Sequence, residues 1–178
     1  FDYIVTRYTP EKLRRQLDAF EPDVVGAGCV TLNFPDAAAI LQTAKRHRPS
    51  LVTIMGGPHV SFLPEQVLDA FPEIDAIFLG ESETTLKKWL PAIADRSAWH
   101  EIAGLAFRDG ERIVNTGPGT IMANLSDLPL PARHLLPLSR YQALGFPVSI
   151  TTGRGCPHKC IFCVGRNMVG TKVRYRKP

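Results

Sequence analysis

The stretch 23-DVVGAGCV-30 carries no polar side chain after its first residue. A run of that kind is the mark of a strand buried on both faces of a parallel sheet. The sequence on either side supports that reading. Upstream, Pro10 opens PEKLRRQLDAF, with Leu13, Leu17 and Phe20 on one helical face. Downstream, FPDAAAILQTAKRHRP has Ala37, Ile40, Leu41 and Ala44 at helical spacing and stops at Pro49. Then 51-LVTIMGG-57 reads as a strand ending in two glycines, 64-PEQVLDAF-71 as a helix and 76-AIFLGE-81 as a third strand. The segment 83-ETTLKKWLPAI-93 predicts a helix with Leu86, Trp89, Leu90 and Ile93 turned inward and Pro91 marking strain or an early end. Ile4-Val5-Thr6 is a further short strand candidate ahead of them all.

Strands and helices in alternation predict an α/β fold: a Rossmann-like parallel sheet with right-handed crossovers and helices on both faces. Ligands in such sheets bind beyond the carboxyl ends of the strands. That singles out three loops, 29-CVTLNF-34, 56-GGPHVSF-62 and 80-GESE-83. Gly56-Gly57 allow a flat group to approach the backbone closely, Thr31 offers a hydroxyl at the preceding strand end, and Gly80-Glu81 end the next strand.

From about Trp99 the pattern changes. The stretch 102-IAGLAFRDGERIVNT-116 is two alternating runs around Asp109-Gly110, a strong hairpin signal. The stretch 125-LSDLPLPARHLLPLSRY-141 has three prolines and no clean period, and reads as an ordered linker in which Arg133 and His134 are structural. A second domain is expected from Phe146, with 147-PVSITT-152 as its first strand. The expected organisation is therefore an α/β domain over 1–97, a hairpin and linker over 98–145, and the start of another domain over 146–178.

The chain has 178 residues, 44% of them hydrophobic, enough to bury a core. No run of 18 apolar residues occurs, so no transmembrane helix is expected. No secretory signal is visible, and a chain that opens on Phe1 rather than Met is expected to be a piece of a longer one. Few cysteines, three of them clustered, do not read as a disulfide framework, and a reducing, cytoplasmic setting is expected. The net charge of +4 is uneven: seven basic residues and no acidic ones fall between Thr152 and Pro178, leaving 14 basic against 17 acidic elsewhere. A basic tail can serve nucleic acid, an anionic cofactor, or simply solvation.

That tail surrounds 153-GRGCPHKCIFCVGR-166, where Cys156, Cys160 and Cys163 follow the spacing C-x3-C-x2-C. Thiolates select zinc, copper(I) or iron–sulfur clusters. Structural zinc takes four ligands, and here only His158 could complete a cramped set with the three cysteines. Three thiolates on a four-iron cluster leave one iron open for chemistry. Gly153, Gly155 and Gly165 let the backbone turn tightly on both sides. Cys29 lies far away on a strand and reads as a small buried apolar residue.

The motif CPHKCIFC resembles the signature of the radical S-adenosylmethionine enzymes. The resemblance implies a 4Fe–4S cluster on Cys156, Cys160 and Cys163, with Phe162 beside the adenine of S-adenosylmethionine, and cleavage of that molecule to a 5′-deoxyadenosyl radical. It also implies an opening strand and cluster loop of a truncated (β/α) barrel.

The ordered motifs PDVVGAGCVTLNFP, IMGGPHVSFLPE, IFLGESETTL, GLAFRDG, DLPLPARHLLPL and TTGRGCPHKCIFC resemble, over nearly the whole chain, the cobalamin-binding members of that family. In that resemblance Thr31, Leu32, Gly56, Gly57, His59, Gly80 and Glu81 are the cobalamin contacts. Glu81 would meet a ribose or a corrin amide, or else serve a helix N-terminus. His59 is a cobalt ligand, a pocket contact or neither. The D-x-H-x-x-G motif that supplies a cobalt ligand in the methionine-synthase type is missing. The implied activity is radical chemistry at an unactivated carbon, such as methyl transfer or ring formation, on a small-molecule substrate with an electron donor such as flavodoxin or ferredoxin. The rival readings are a radical enzyme whose front domain holds no cobalamin, and a zinc-dependent nucleic-acid module.

Overall fold

The structure, a computed structural model, describes residues 5–177. Thr9 caps the first helix, α1 (Pro10–Phe20), accepting a hydrogen bond from the Lys12 amide, and Pro10 occupies the first turn, where its missing N–H costs nothing. Strand β1 (Val24–Gly28) follows, then a 3-10 turn at Thr31–Asn33 and helix α2 (Phe34–His47). Next come β2 (Val52–Gly56), the short helices α3 (Pro58–Phe62) and α4 (Pro64–Ala70), β3 (Ala76–Phe78) and α5 (Glu83–Trp89). The hairpin strands are β4 (Leu105–Asp109) and β5 (Arg112–Asn115). Helix α6 (Leu138–Ala143), strand β6 (Gly153–Arg154), helix α7 (Gly165–Val169) and strand β7 (Arg174–Tyr175) complete the chain.

The main sheet has the order β1-β2-β3-β4-β5. β1, β2 and β3 are parallel, and β4 and β5 are antiparallel additions, with Ala76 opposite Phe107 and Phe78 opposite Leu105. The α/β class holds, but the sheet is mixed. The hairpin is part of it because β3, apolar and buried on all three residues, needs a neighbour on its second edge. Leu105, Ala106 and Phe107 supply one that is equally buried.

Alternation along the strands divides the core into two faces. Met55, Ile77 and Ala106 point toward Leu41, Val67 and Leu68 of α2 and α4. Ala76, Phe78, Leu105 and Phe107 point the other way, toward Trp89 and Trp99. A smaller cluster of Leu13, Leu17, Ala44 and Leu51 seats α1 against α2. At the amino ends of the strands, the Asp75 carboxylate accepts from the Thr53 amide and hydroxyl and from Lys45 Nζ at 2.7 Å, which satisfies polar groups that have little water.

Several expectations need correcting. Phe20, on the last residue of α1, is 82% exposed, because the chain turns away there through Glu21 in the left-handed region. Leu90 is likewise 49% exposed, because Pro91 ends α5 and the backbone tightens into a 3-10 turn. Residues 147–152 do not form a strand. They lie on the surface with Val148 and Ile150 exposed, and a strand forms only at Gly153–Arg154, where β7 provides a ladder. Of the strand expected at Ile4-Val5-Thr6, Ile4 lies outside the described residues, and Val5 and Thr6 sit in a turn and a bend.

Candidate functional site

The three loops singled out above meet at the carboxyl ends of β1, β2 and β3. The first two are joined by their backbones: the Cys29 amide donates to the Gly56 carbonyl at 2.9 Å. Gly57 lies so close to Cys29 that a Cβ there would overlap the Cys29 carbonyl oxygen and come within 2.9 Å of its nitrogen. The φ of 108° and ψ of 173° at Gly57 form a conformation that is essentially restricted to glycine. This crossing sets Thr31 beside His59, whose Nδ1 lies 3.2 Å from the Thr31 hydroxyl. The His59 ring also packs on Phe34, centroid to centroid 4.3 Å. The third loop is tied to the second by the Gly80 amide, which donates to Ser61 Oγ at 3.1 Å.

Thr31, Leu32, Gly56, Gly57, His59 and Gly80 are thus brought to one end of the sheet. Leu32 is 91% exposed there, an apolar side chain held out to solvent. Gly28, at the end of β1, has open space where a side chain would stand. A groove of about 960 Å³ runs beside β1, between α1 and α2, from Leu17 to Asn33. A donor-poor, glycine-ended, partly apolar surface of this sort suits a large flat organic cofactor better than a compact anion. Cys29 is buried, and burial pushes its thiol above the ordinary range, as fits a packing residue.

Glu81 behaves differently from the expectation set for it. Its carboxylate is turned inward and both oxygens are taken by Arg174, at 2.9 and 2.5 Å. With the Glu81 side chain 5% exposed and the Arg174 side chain 7%, each needs the other. Arg174 also donates to the carbonyls of Met122 and Val169, both at 2.6 Å. Two residues on, Glu83 accepts from Arg154 at 2.5 Å. The arginines sat in the sequence only as tail charge, and Ser61 lay within a loop that was singled out but was not itself named. What could have flagged Arg174 is a glutamate at the end of an apolar strand, which must find a cation once buried.

The hydrogen bond from Arg154 holds the Glu83 carboxyl below its ordinary value, against the opposing effect of burial. A carboxylate lowered on folding contributes its full stability above the unfolded value, about 4.3, and loses it as pH falls through the lower folded value. Melting followed from about pH 6 to about pH 3 should therefore show a steeper loss for the unaltered protein than for Glu83→Gln. The difference is small because Glu83 is 39% exposed and screened. Parallel profiles would show that this contact carries no pH-dependent stability.

Cys156 is half-buried, whereas Cys160, Cys163 and Phe162 are exposed, and all the cysteines are free thiols. The Cys156 amide donates to the Gly170 carbonyl at 3.0 Å, and the Gly165 amide donates to Cys163 Sγ at 3.3 Å. Among the described residues no three His, Cys, Asp or Glu side chains gather as a metal-binding group. In chemistry the cysteines fit an iron–sulfur cluster: three soft donors within eight residues, one already receiving a backbone N–H. Arg133 donates to the Ser149 carbonyl, a structural tie across the linker. No helix among the described residues is long and apolar enough to cross a membrane.

A glycine-lined cofactor surface at the carboxyl end of a Rossmann-like sheet, followed on the same chain by a three-cysteine loop, defines the class. The chain belongs to the B12-binding domain family, whose model matches residues 2–90, in the form found in cobalamin-binding radical S-adenosylmethionine proteins. It is 32% identical over 174 residues to an uncharacterized methyltransferase of Pyrococcus horikoshii, covering 97% of this chain and 38% of that protein. It is 33% identical over 159 residues to the anaerobic magnesium-protoporphyrin IX monomethyl ester cyclase of Cereibacter sphaeroides, covering 86% of this chain and 26% of that protein. Among solved structures it resembles the cobalamin-dependent S-adenosylmethionine radical enzyme OxsB with aqua-cobalamin and S-adenosylmethionine bound. The TM-score is 0.84 at 22% identity, covering 99% of this chain and 24% of that one, a likeness of fold. The chain thus spans well under half the length of the relatives it matches.

Proposed function

We propose that this chain is the cofactor-holding front part of a cobalamin-dependent radical S-adenosylmethionine enzyme that carries out methyl transfer or ring formation at an unactivated carbon. The observation that carries the proposal is the joining of two features on one fold. A B12-binding match covers residues 2–90, and the C-x3-C-x2-C loop is fastened beside the same end of the sheet. The relatives, an uncharacterized methyltransferase and a cyclase, fit both outcomes.

In this reading Thr31, Leu32, Gly56, Gly57, His59 and Gly80 hold the cobalamin, Cys156, Cys160 and Cys163 hold the 4Fe–4S cluster, and Phe162 lies against S-adenosylmethionine. When bound, these groups supply group transfer at cobalt and one-electron cleavage of S-adenosylmethionine. The chain's own residues bind and orient. Gly57 permits the approach of two loops, Thr31 and His59 hold each other's side-chain orientation, and Gly165 directs its N–H at a cysteine sulfur, which favours the thiolate. An electron donor such as flavodoxin or ferredoxin and a small-molecule substrate are the partners this chemistry requires.

The test is anaerobic iron–sulfide reconstitution of the full-length protein with hydroxocobalamin, read by absorbance and electron paramagnetic resonance. Retained corrin bands and a broad iron–sulfur absorbance are expected. The absorbance should vanish in the variant carrying Cys156→Ala, Cys160→Ala and Cys163→Ala, while the corrin stays. Cluster without corrin would reduce the front domain to a scaffold, and zinc in place of iron would rule out the radical mechanism.

A further inference from the structure

The four charged side chains at the end of β3 come from two regions far apart in sequence. Glu81 and Glu83 lead from β3 into α5. Arg154 and Arg174 stand on β6 and β7, the paired strands that bracket the cysteines. Arg154 Nη1 also lies 3.8 Å from Glu81, so two anions and two cations form one neutral cluster. Among the described residues, every hydrogen bond linking residues 153–177 to the sheet and its helices (residues 5–116) ends on Glu81 or Glu83.

A buried ion pair contributes little net stability compared with well-packed apolar residues, because desolvation offsets most of its attraction. What it adds is direction. The guanidinium of Arg174 meets both oxygens of Glu81 at once, and that fixes orientation as well as distance. Nη1 and Nη2 each make a second bond, to the carbonyls of Met122 and Val169, so the fork cannot rotate freely even though the buried Nε–H has no partner. The hairpin that carries it is itself stiff. Gly155, with φ 109°, lets the backbone pack directly on Lys172, and the Cys156 amide is bonded to Gly170.

We infer that Glu81, Glu83, Arg154 and Arg174 form an ionic clasp that sets the position of the cysteine loop relative to the carboxyl end of the parallel strands. They are positioning residues, acting through the hairpin on Cys156 and its neighbours. That the clasp aligns two cofactors rests on the function proposed above; that it holds the loop does not.

The experiment is hydrogen–deuterium exchange on the full-length protein, comparing residues 153–176 with β1, β2 and β3. In Glu81→Gln, exchange over 153–176 should rise roughly tenfold or more while the strands keep their native rates, a local opening. Glu81→Asp keeps the charge and should restore most of the protection. If Glu81→Gln fails to fold, Glu83→Gln removes the half-exposed pair and should give a smaller rise confined to the same residues. Unchanged exchange over 153–176 in both variants would overturn the clasp, and so would an equal rise across the strands. Exchange needs no cofactor, so unaltered protein that takes up neither corrin nor iron would count against the proposed function and still leave the clasp decided by its own result.

Discussion

Gly57→Ala is expected to cost about 4 kcal/mol of folding stability, from backbone strain and a forced backbone separation acting together. The conformation at Gly57 (φ 108°, ψ 173°) is one that an alanine adopts only under strain. The methyl group would also overlap the Cys29 carbonyl, a backbone atom that cannot swing aside as a flexible side chain could. Relief requires the loop after β1 to part from the loop after β2, which breaks the bond from the Cys29 amide to Gly56 and separates Thr31 from His59. Gly28→Ala is the matched control. It lies one residue before Cys29, and a methyl there meets nothing within 4 Å, so its effect should stay within about 1 kcal/mol. Urea unfolding of both variants checks the pair. Equal midpoints would mean that the two loops are not held by this crossing.

Trp99→Ala should cost about 3–5 kcal/mol, the usual range for removing a buried aromatic side chain. Trp99 is fully buried between Trp89 and Phe107, with ring centroids at 5.3 and 5.4 Å. Its indole N–H donates to the Ala92 carbonyl at 2.9 Å, and the Arg96 guanidinium covers the ring at 4.7 Å. The residue carries no catalytic group, so the loss falls on the far face of the sheet from α2 and α4. Against a typical domain stability of about 5–15 kcal/mol, the change takes a large share. Trp99→Phe keeps most of the volume and should recover more than half of the loss. A denaturation midpoint unmoved by Trp99→Ala would contradict the two-face core.

The parallel half of the fold was legible because period and punctuation agree there. Val24–Gly28 and Val52–Gly56 are largely apolar runs closed by glycine, and the helices before and between them carry Leu13, Leu17, Ala37, Leu41 and Ala44 at helical spacing. Asp109-Gly110 likewise announced the turn between β4 and β5. Alternation shows that two strands pair with each other but not which third strand receives them, so the hairpin's place beside β3 was out of reach. The convergence of the three loops followed from topology. The inward turn of Glu81 did not, because a short motif cannot tell a carboxylate facing a ligand from one facing an arginine 93 residues away. The strand expected at 147–152 failed for a related reason: β-branched residues favour extended backbone, but a strand also needs a neighbour.

The route from the cysteine loop to β3 has a mechanical consequence. All three residues of β3 are buried, and the chain runs from Phe78 through Leu79 and Gly80 to the glutamate that grips Arg174. A pull on the cysteine hairpin is therefore delivered to the centre of the sheet, to a strand with partners on both edges. Gly80, with φ 66°, is the glycine along that path, and its amide is tied to Ser61 Oγ, so the turn is braced against α3. The hairpin is anchored through that braced turn to a strand buried on all three residues, and by Met122, Ser126 and Leu128 on its other side, so a displacement around the cysteines is felt at β3 before it reaches the edge strands.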